Sequence, residues 1–245
     1  MFKANGRLVL AAAFGSTCVS ILLGFQTDRG AQDSASRKQH VQVRIFNLAR
    51  VPRRDLSRAE GEVTRIFGEA EMEVNWAEGS LEDTASLITD FSANNSSPTG
   101  CNAARHAGEL RLQLLPYAPH GVDARTLGFS LPCAAFGIDS TIFIDNCESV
   151  TCQTLASFSK VLAYAMAHEL GHVLLRSAEH AQTGLMSARW DKAAWLRATV
   201  RGIPIDKEQG RLMRIELSTM SHPPAKEKLQ WYALKRWRAW GERAD

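Results

Sequence analysis

The sequence predicts an α+β fold, in which a small, mixed and twisted sheet of about five strands packs on an amino-terminal helix and on a second, long helix. Short segments with alternating apolar residues recur between residues 41 and 146, as in strands with one buried face. The longest segment with helical periodicity, 153–177, follows all of them. The 245 residues, of which 45% are hydrophobic and 22% charged, suffice for such a domain.

The series begins with a strand, a helix and another strand, an order that favours helices layered on a sheet. The first strand starts near His40 and Pro52 ends it. The helix that follows extends to about Ala70, and Asp55 or Ser57 can cap it. Its apolar residues recur at helical spacing: Leu56, Ala59, Val63, Ile66, Phe67 and Ala70. The short segment "MEVNW" alternates again and is predicted to be the second strand.

Three more strands are predicted in "ELRLQLL", "TLGFSLP" and "STIFIDN". The long helix then covers "QTLASFSKVLAYAMAHELGHVLLRS", which contains no proline. Two carboxy-terminal helices follow, within "SARWDKAAWLRATV" and "DKEQGRLMRIELSTM".

Both ends of the chain differ in composition from its centre. Residues 1–25 are predicted to be a signal peptide or signal anchor, because basic residues precede an apolar run at 8–25 that can anchor the chain in a membrane. A buried amino-terminal helix is the weaker alternative. Residues 26–39 are a polar linker, 40–220 form the domain, and 221–245 are a basic, tryptophan-rich tail. For the tail, a solvated helix that packs its tryptophans on the domain is favoured over a helix that binds a membrane surface or a partner. We therefore expect an exported protein, periplasmic or extracellular.

Cysteine usage supports export. Apart from Cys18 in the predicted signal, the chain has four cysteines, an even number that permits three pairings. We expect Cys147 to pair with Cys152, and Cys101 with Cys133. No C-x-x-C spacing indicates a zinc knuckle, so disulfides are the better explanation unless the chain stays in the cytosol.

The charge balance excludes a nucleic-acid partner. The formal net charge is only +3, whereas nucleic-acid binders usually carry a clustered basic face. We expect the protein to be a monomer.

The segment "HELGH" on the long helix has the spacing of a zinc site. His168 and His172 are four residues apart and project from one side of a helix, so their imidazoles can converge on one ion. Glu169 lies about 100° around the axis from His168, where it can act as general base without binding the metal. The alternative is a pair of histidines with ordinary hydrogen bonds, but the small and apolar neighbours, among them Gly171, favour a metal pocket.

A catalytic zinc requires three protein ligands and one open position, and His180 is the best third ligand. With the methionine-bearing turn at 183–186, the segment resembles the active site of the metzincin zinc proteases, whose pattern is H-E-x-x-H-x-x-G-x-x-H followed by a methionine turn. The order of the preceding strands is also similar over residues 41–190. The resemblance implies a metzincin-like fold, a zinc cofactor held by His168, His172 and His180, and Glu169 as the catalytic base. It further implies that an extended peptide lies along residues 127–131.

Two departures from the family pattern concern the third ligand. His180 follows His172 by eight residues instead of six, and Leu175 stands where the family has glycine. The helix is therefore expected to end around Arg176, and Glu179 and Asp191 are alternative third ligands.

The combined prediction is an exported zinc-dependent endopeptidase that hydrolyses peptide bonds. A zinc hydrolase of non-peptide amides and a non-catalytic exported binding module that keeps the fold remain alternatives.

Overall fold

The computed structural model describes residues 39–80, 109–133 and 137–221. The chain divides into two compact units, Met1–Arg37 and Lys38–Asp245, and the described residues all belong to the second. The predicted signal, most of the linker and the tryptophan-rich tail after Ser221 lie outside them. No helix within the described residues is long and apolar enough to cross a membrane.

Five strands and five helices make up the described part of the chain, so the predicted α+β class and strand number are confirmed. The strands are β1 (Gln39–Asn47), β2 (Met72–Glu78), β3 (Glu109–Leu115), β4 (Gly128–Ser130) and β5 (Ser140–Phe143). The helices are α1 (Arg53–Glu69), α2 (Ile144–Gln153), α3 (Phe158–Leu175), α4 (Lys192–Val200) and α5 (Lys207–Ser221).

The sheet is mixed, with the strand order β2-β1-β3-β5-β4. Strands β1, β2, β3 and β5 run parallel, and β4 pairs with β5 in the antiparallel direction at one edge. Along the chain the edge strand β4 precedes β5 and the histidine-bearing helix, as the sequence predicted.

Helices α1 and α3 pack against each other, and α3 also contacts β3, β4 and β5. The buried residues of α1 are five of the six that its periodicity selected, from Leu56 to Phe67. No side chain caps α1, however, because Pro52 occupies its N-cap position, so the caps predicted at Asp55 and Ser57 are wrong. Helix α1 also contacts β2, α2 contacts α3, and α5 contacts α3 and β1.

Helix α2 was not predicted, because the sequence assigned "STIFIDN" entirely to a strand. The backbone becomes helical at Ile144, directly after β5. The Asp145 carboxylate accepts a hydrogen bond from the Ala118 N–H, and the Asn146 amide donates one to the Thr126 carbonyl at 2.8 Å. These bonds to the loop before β4 come from distant parts of the chain, and local alternation does not reveal them.

The start of α3 also differs from the prediction. The helix begins at Phe158, with Ser157 at its N-cap position, and Leu155 is 83% exposed between α2 and α3. The expected disulfide between Cys147 and Cys152 is wrong: both are free thiols, Cys147 buried and Cys152 exposed. Residues five apart on a helix point about 140° away from each other, which prevents the bridge. The predicted Cys101–Cys133 pair stays a prediction, since Cys101 lies outside the described residues.

Candidate metal centre

Three histidines meet at the carboxy-terminal end of α3. His168 Nε2 lies 3.0 Å from His172 Nε2, which lies 3.2 Å from His180 Nε2. One nitrogen from each ring falls within 4.8 Å of the other two. The structure thus brings together the three residues that the sequence selected, two from the helix and one from the loop after it.

The other nitrogen of two of these rings is bound to the backbone. His168 Nδ1 lies 2.8 Å from the Leu185 carbonyl oxygen, and His172 Nδ1 lies 2.8 Å from the Ser177 carbonyl oxygen. A carbonyl only accepts, so each Nδ1 carries the proton and each Nε2 presents a lone pair. Such partners are typical of metal-binding histidines, whose orientation they fix.

The convergent lone pairs fit a metal cation. The bare Nε2 atoms of His168 and His172, 3.0 Å apart, repel each other unless a positive charge lies between them. His180 Nε2 adds a third nitrogen 3.2 Å from His172 Nε2. Two nitrogens about 2.05 Å from a tetrahedral zinc ion are about 3.3 Å apart, close to these separations. The donor set also suits zinc, for which three protein ligands and an open fourth position define a catalytic site.

Burial keeps the two helical histidines neutral at physiological pH. Burial lowers the pKa of His168 to about 4, partly opposed by the hydrogen bond to the Leu185 carbonyl and reinforced by the neighbouring histidines. The pKa of His172 is lowered as well, mainly by burial. Since a metal binds only the neutral imidazole, this favours the binding form.

The eight-residue spacing between His172 and His180 is accommodated by a tight helix end. Arg176 adopts the left-handed conformation with φ 50°, and its N–H donates to the Val173 carbonyl. The Ser177 N–H donates to the His172 carbonyl, which completes the two hydrogen bonds of a Schellman motif. The helix therefore ends where the sequence predicted, and the chain turns back so that His180 reaches His168 and His172.

The loop after His180 folds beneath the helix. The Ala181 N–H donates to the Met186 carbonyl, and Ala181 and Ser187 form an isolated bridge. The Met186 side chain is fully buried against Gly171, where an added Cβ would lie 2.5 Å from its Sδ. Gly171 therefore permits the methionine turn to approach α3 between the two helical histidines.

Glu169 is buried beside the cluster. It is 7% exposed, and Ser130 Oγ on β4 donates a hydrogen bond to its Oε2 at 2.8 Å. Burial raises the pKa of Glu169 to about 7, opposed by the bond from Ser130. Gly128 lets the edge strand approach this closely, since a Cβ there would lie 3.1 Å from Glu169 Cγ.

The alternative third ligands lie outside the cluster. Among the described residues, the group of side chains that can hold a metal consists of the three histidines without Glu179 or Asp191. Asp191 instead caps α4, where its Oδ1 accepts a hydrogen bond from the Ala194 N–H at 2.7 Å. Glu179 is exposed, and its N–H donates to Ser177 Oγ.

Sequence reasoning missed the residues that support the cluster. Ser130 gave no signal, since it lies 39 positions from Glu169 in a short strand. The carbonyls of Ser177 and Leu185 could not have been found, because backbone acceptors have no residue signature.

No protein-family model matches the chain, and no curated protein matches it either. Nine chains of solved structures resemble the fold, among them the following two. Archaemetzincin from Methanopyrus kandleri is 15% identical with a TM-score of 0.45, and the match covers 75% of this chain and 99% of that one. Metalloproteinase-II from Bacteroides fragilis is 14% identical with a TM-score of 0.43, and here the match covers 74% of this chain and 54% of that one. Similarity at this level concerns the fold alone.

Proposed function

We propose that the protein is an exported zinc-dependent endopeptidase, with His168, His172 and His180 as zinc ligands and Glu169 as general base. The convergence of three histidine Nε2 atoms, of which those of His168 and His172 present lone pairs, supports this proposal most directly. Zinc in this site would act as a Lewis acid on a peptide carbonyl and lower the pKa of water towards neutrality.

Glu169 has the properties that proton transfer requires. Its pKa of about 7 lies near physiological pH, where a carboxyl group can both accept and return a proton. We propose that the Glu169 carboxylate takes the proton from the attacking water and passes it to the leaving amine. The bond from Ser130 holds one carboxylate oxygen in place while the other stays available.

An extended peptide is the substrate that this site suits best. Strand β4 lies at the edge of the sheet, next to Glu169, and can accept another strand by backbone pairing. Phe129 on this strand and Leu131 just after it are 43% and 49% exposed, so apolar substrate side chains have a surface to contact. Export and possible anchoring rest on the composition of residues 1–25 and belong to the proposal, as does the monomeric state.

The test is metal analysis of the purified full chain, combined with cleavage of a peptide library. We expect one zinc per chain and peptide hydrolysis. Glu169→Gln should lower turnover by about 10²- to 10⁴-fold with zinc retained, because only the base is lost. Glu179→Gln is the matched control, because Glu179 is an exposed acid next to His180. This variant should leave both turnover and zinc content unchanged.

Other outcomes separate the alternatives. A folded chain that binds no zinc would refute the proposal. Zinc binding without turnover of any peptide or amide would indicate a binding module, and cleavage of simple amides but not of peptides would indicate a non-peptide amide hydrolase.

A further inference from the structure

The end of α3 carries an arginine where helices most often place glycine. Arg176 occupies the left-handed position of the Schellman motif, with φ 50° and ψ 40°. This conformation is strained for a residue with a Cβ and persists when surrounding contacts determine it. Some interaction of Arg176 must therefore offset the strain.

A buried ion pair fixes the Arg176 side chain. Its Nη1 donates to Glu216 Oε1 at 2.9 Å, and the two side chains are only 13% and 10% exposed. Glu216 belongs to α5, forty residues later in the chain. A buried ion pair adds little net stability compared with apolar packing, but it can specify one geometry.

The residues that this ion pair holds connect the second ligand to the third. The Ser177 carbonyl orients the His172 ring, and Ser177 Oγ accepts the Glu179 N–H just before His180. A shift of Arg176 would thus move both the partner of His172 and the start of the segment that carries His180.

We propose that the Arg176–Glu216 ion pair is a positioning device for the metal site, which holds the helix end so that His180 reaches His168 and His172. The eight-residue spacing requires a tight turn at the end of α3. The ion pair to Glu216 on α5 stabilises the strained left-handed conformation of Arg176 in this turn. The inference rests on the proposed zinc site, and it adds two positioning residues that contact neither metal nor substrate.

The test compares zinc affinity, measured by chelator competition on the full chain, with stability, measured by thermal unfolding of the metal-free protein. Arg176→Met and Glu216→Gln should each lower zinc affinity by about 10- to 100-fold, the range found for residues that orient metal ligands. The visible spectrum of the Co²⁺-loaded variants should change as well, because the third ligand is displaced.

The matched control is Lys160→Met on the same helix. Lys160 Nζ lies 2.8 Å from Glu62 Oε1, in a partly buried pair near the opposite end of α3. This variant removes a cation and an ion pair in the same way, so it should lower stability but leave zinc affinity unchanged. His180→Ala marks the affinity that remains without the third ligand.

The outcomes separate the two proposals. If the wild type binds zinc and both variants bind it equally well, the ion pair is only structural and the inference fails, while the proposed function stands. If the wild type binds no zinc, both fail. Should a single variant not fold, the double variant Arg176→Met/Glu216→Leu removes both charges of the pair together and is still expected to bind zinc weakly.

Discussion

Replacing Gly171 by alanine tests the packing of the methionine turn on the metal site. A Cβ at position 171 would lie 2.5 Å from Met186 Sδ, 3.2 Å from Met186 Cε and 3.3 Å from Met213 Cε. Ordinary contacts begin at 3.4 Å, so the Met186 sulfur would have to move by roughly an ångström. Both methionines are fully buried, which leaves little room for this shift.

The expected change in the free energy of unfolding follows from a comparison with Gly61. This glycine is exposed on α1, and an added Cβ there would have nothing within 4 Å. Glycine to alanine in a helix gains about 1 kcal/mol, so Gly61→Ala should stabilise the protein by that amount. Gly171→Ala gains the same stabilisation from helix propensity, but its Cβ overpacks the contact with Met186, which costs about 1–3 kcal/mol. The two variants should therefore differ by about 1–3 kcal/mol in free energy of unfolding.

The same substitution should weaken metal binding. Met186 follows Leu185, whose carbonyl fixes the His168 ring through Nδ1 at 2.8 Å. Pushing Met186 away from α3 moves this acceptor, so zinc affinity should fall in Gly171→Ala and remain unchanged in Gly61→Ala. Urea unfolding of the metal-free proteins and chelator competition measure the two effects. Equal stabilisation by both variants, with wild-type zinc affinity, would refute the packing argument.

Three further predictions concern the ligand set and the cysteines. His180→Ala should lower the zinc content of the purified chain, measured by elemental analysis, because one of the three proposed ligands is removed. Full retention of zinc would exclude His180 as a ligand. Asp191→Ala should leave zinc bound but destabilise the protein by about 1 kcal/mol in urea unfolding, since its carboxylate caps α4. In the native protein a thiol reagent should modify Cys152 rapidly, and Cys147 only after unfolding, because burial raises the pKa of the Cys147 thiol and shields it. If neither cysteine reacts in the unfolded protein until a reductant is added, the two are joined by the disulfide and the prediction of free thiols is wrong.

The sequence determined the elements whose pattern is local. Alternation identified all five strands of the described residues, and helical periodicity selected the buried face of α1. The spacing of His168 and His172 placed them on one side of α3, since four residues make about one turn. The local pattern gave one wrong prediction, because the alternation in "STIFIDN" continues past the end of the strand at Phe143. The helix that starts at Ile144 depends instead on hydrogen bonds to a distant loop.

The third histidine and the residues that support the cluster depend on how the chain folds. The sequence left His180, Glu179 and Asp191 as third ligands, and the folded chain brings the first to the other histidines while Asp191 caps a helix. The contacts responsible, Ser130 with Glu169 and Arg176 with Glu216, join residues 39 and 40 positions apart. Periodicity reports which face of an element is buried, whereas convergence of side chains from separate elements depends on packing and turn geometry, which only the folded chain fixes.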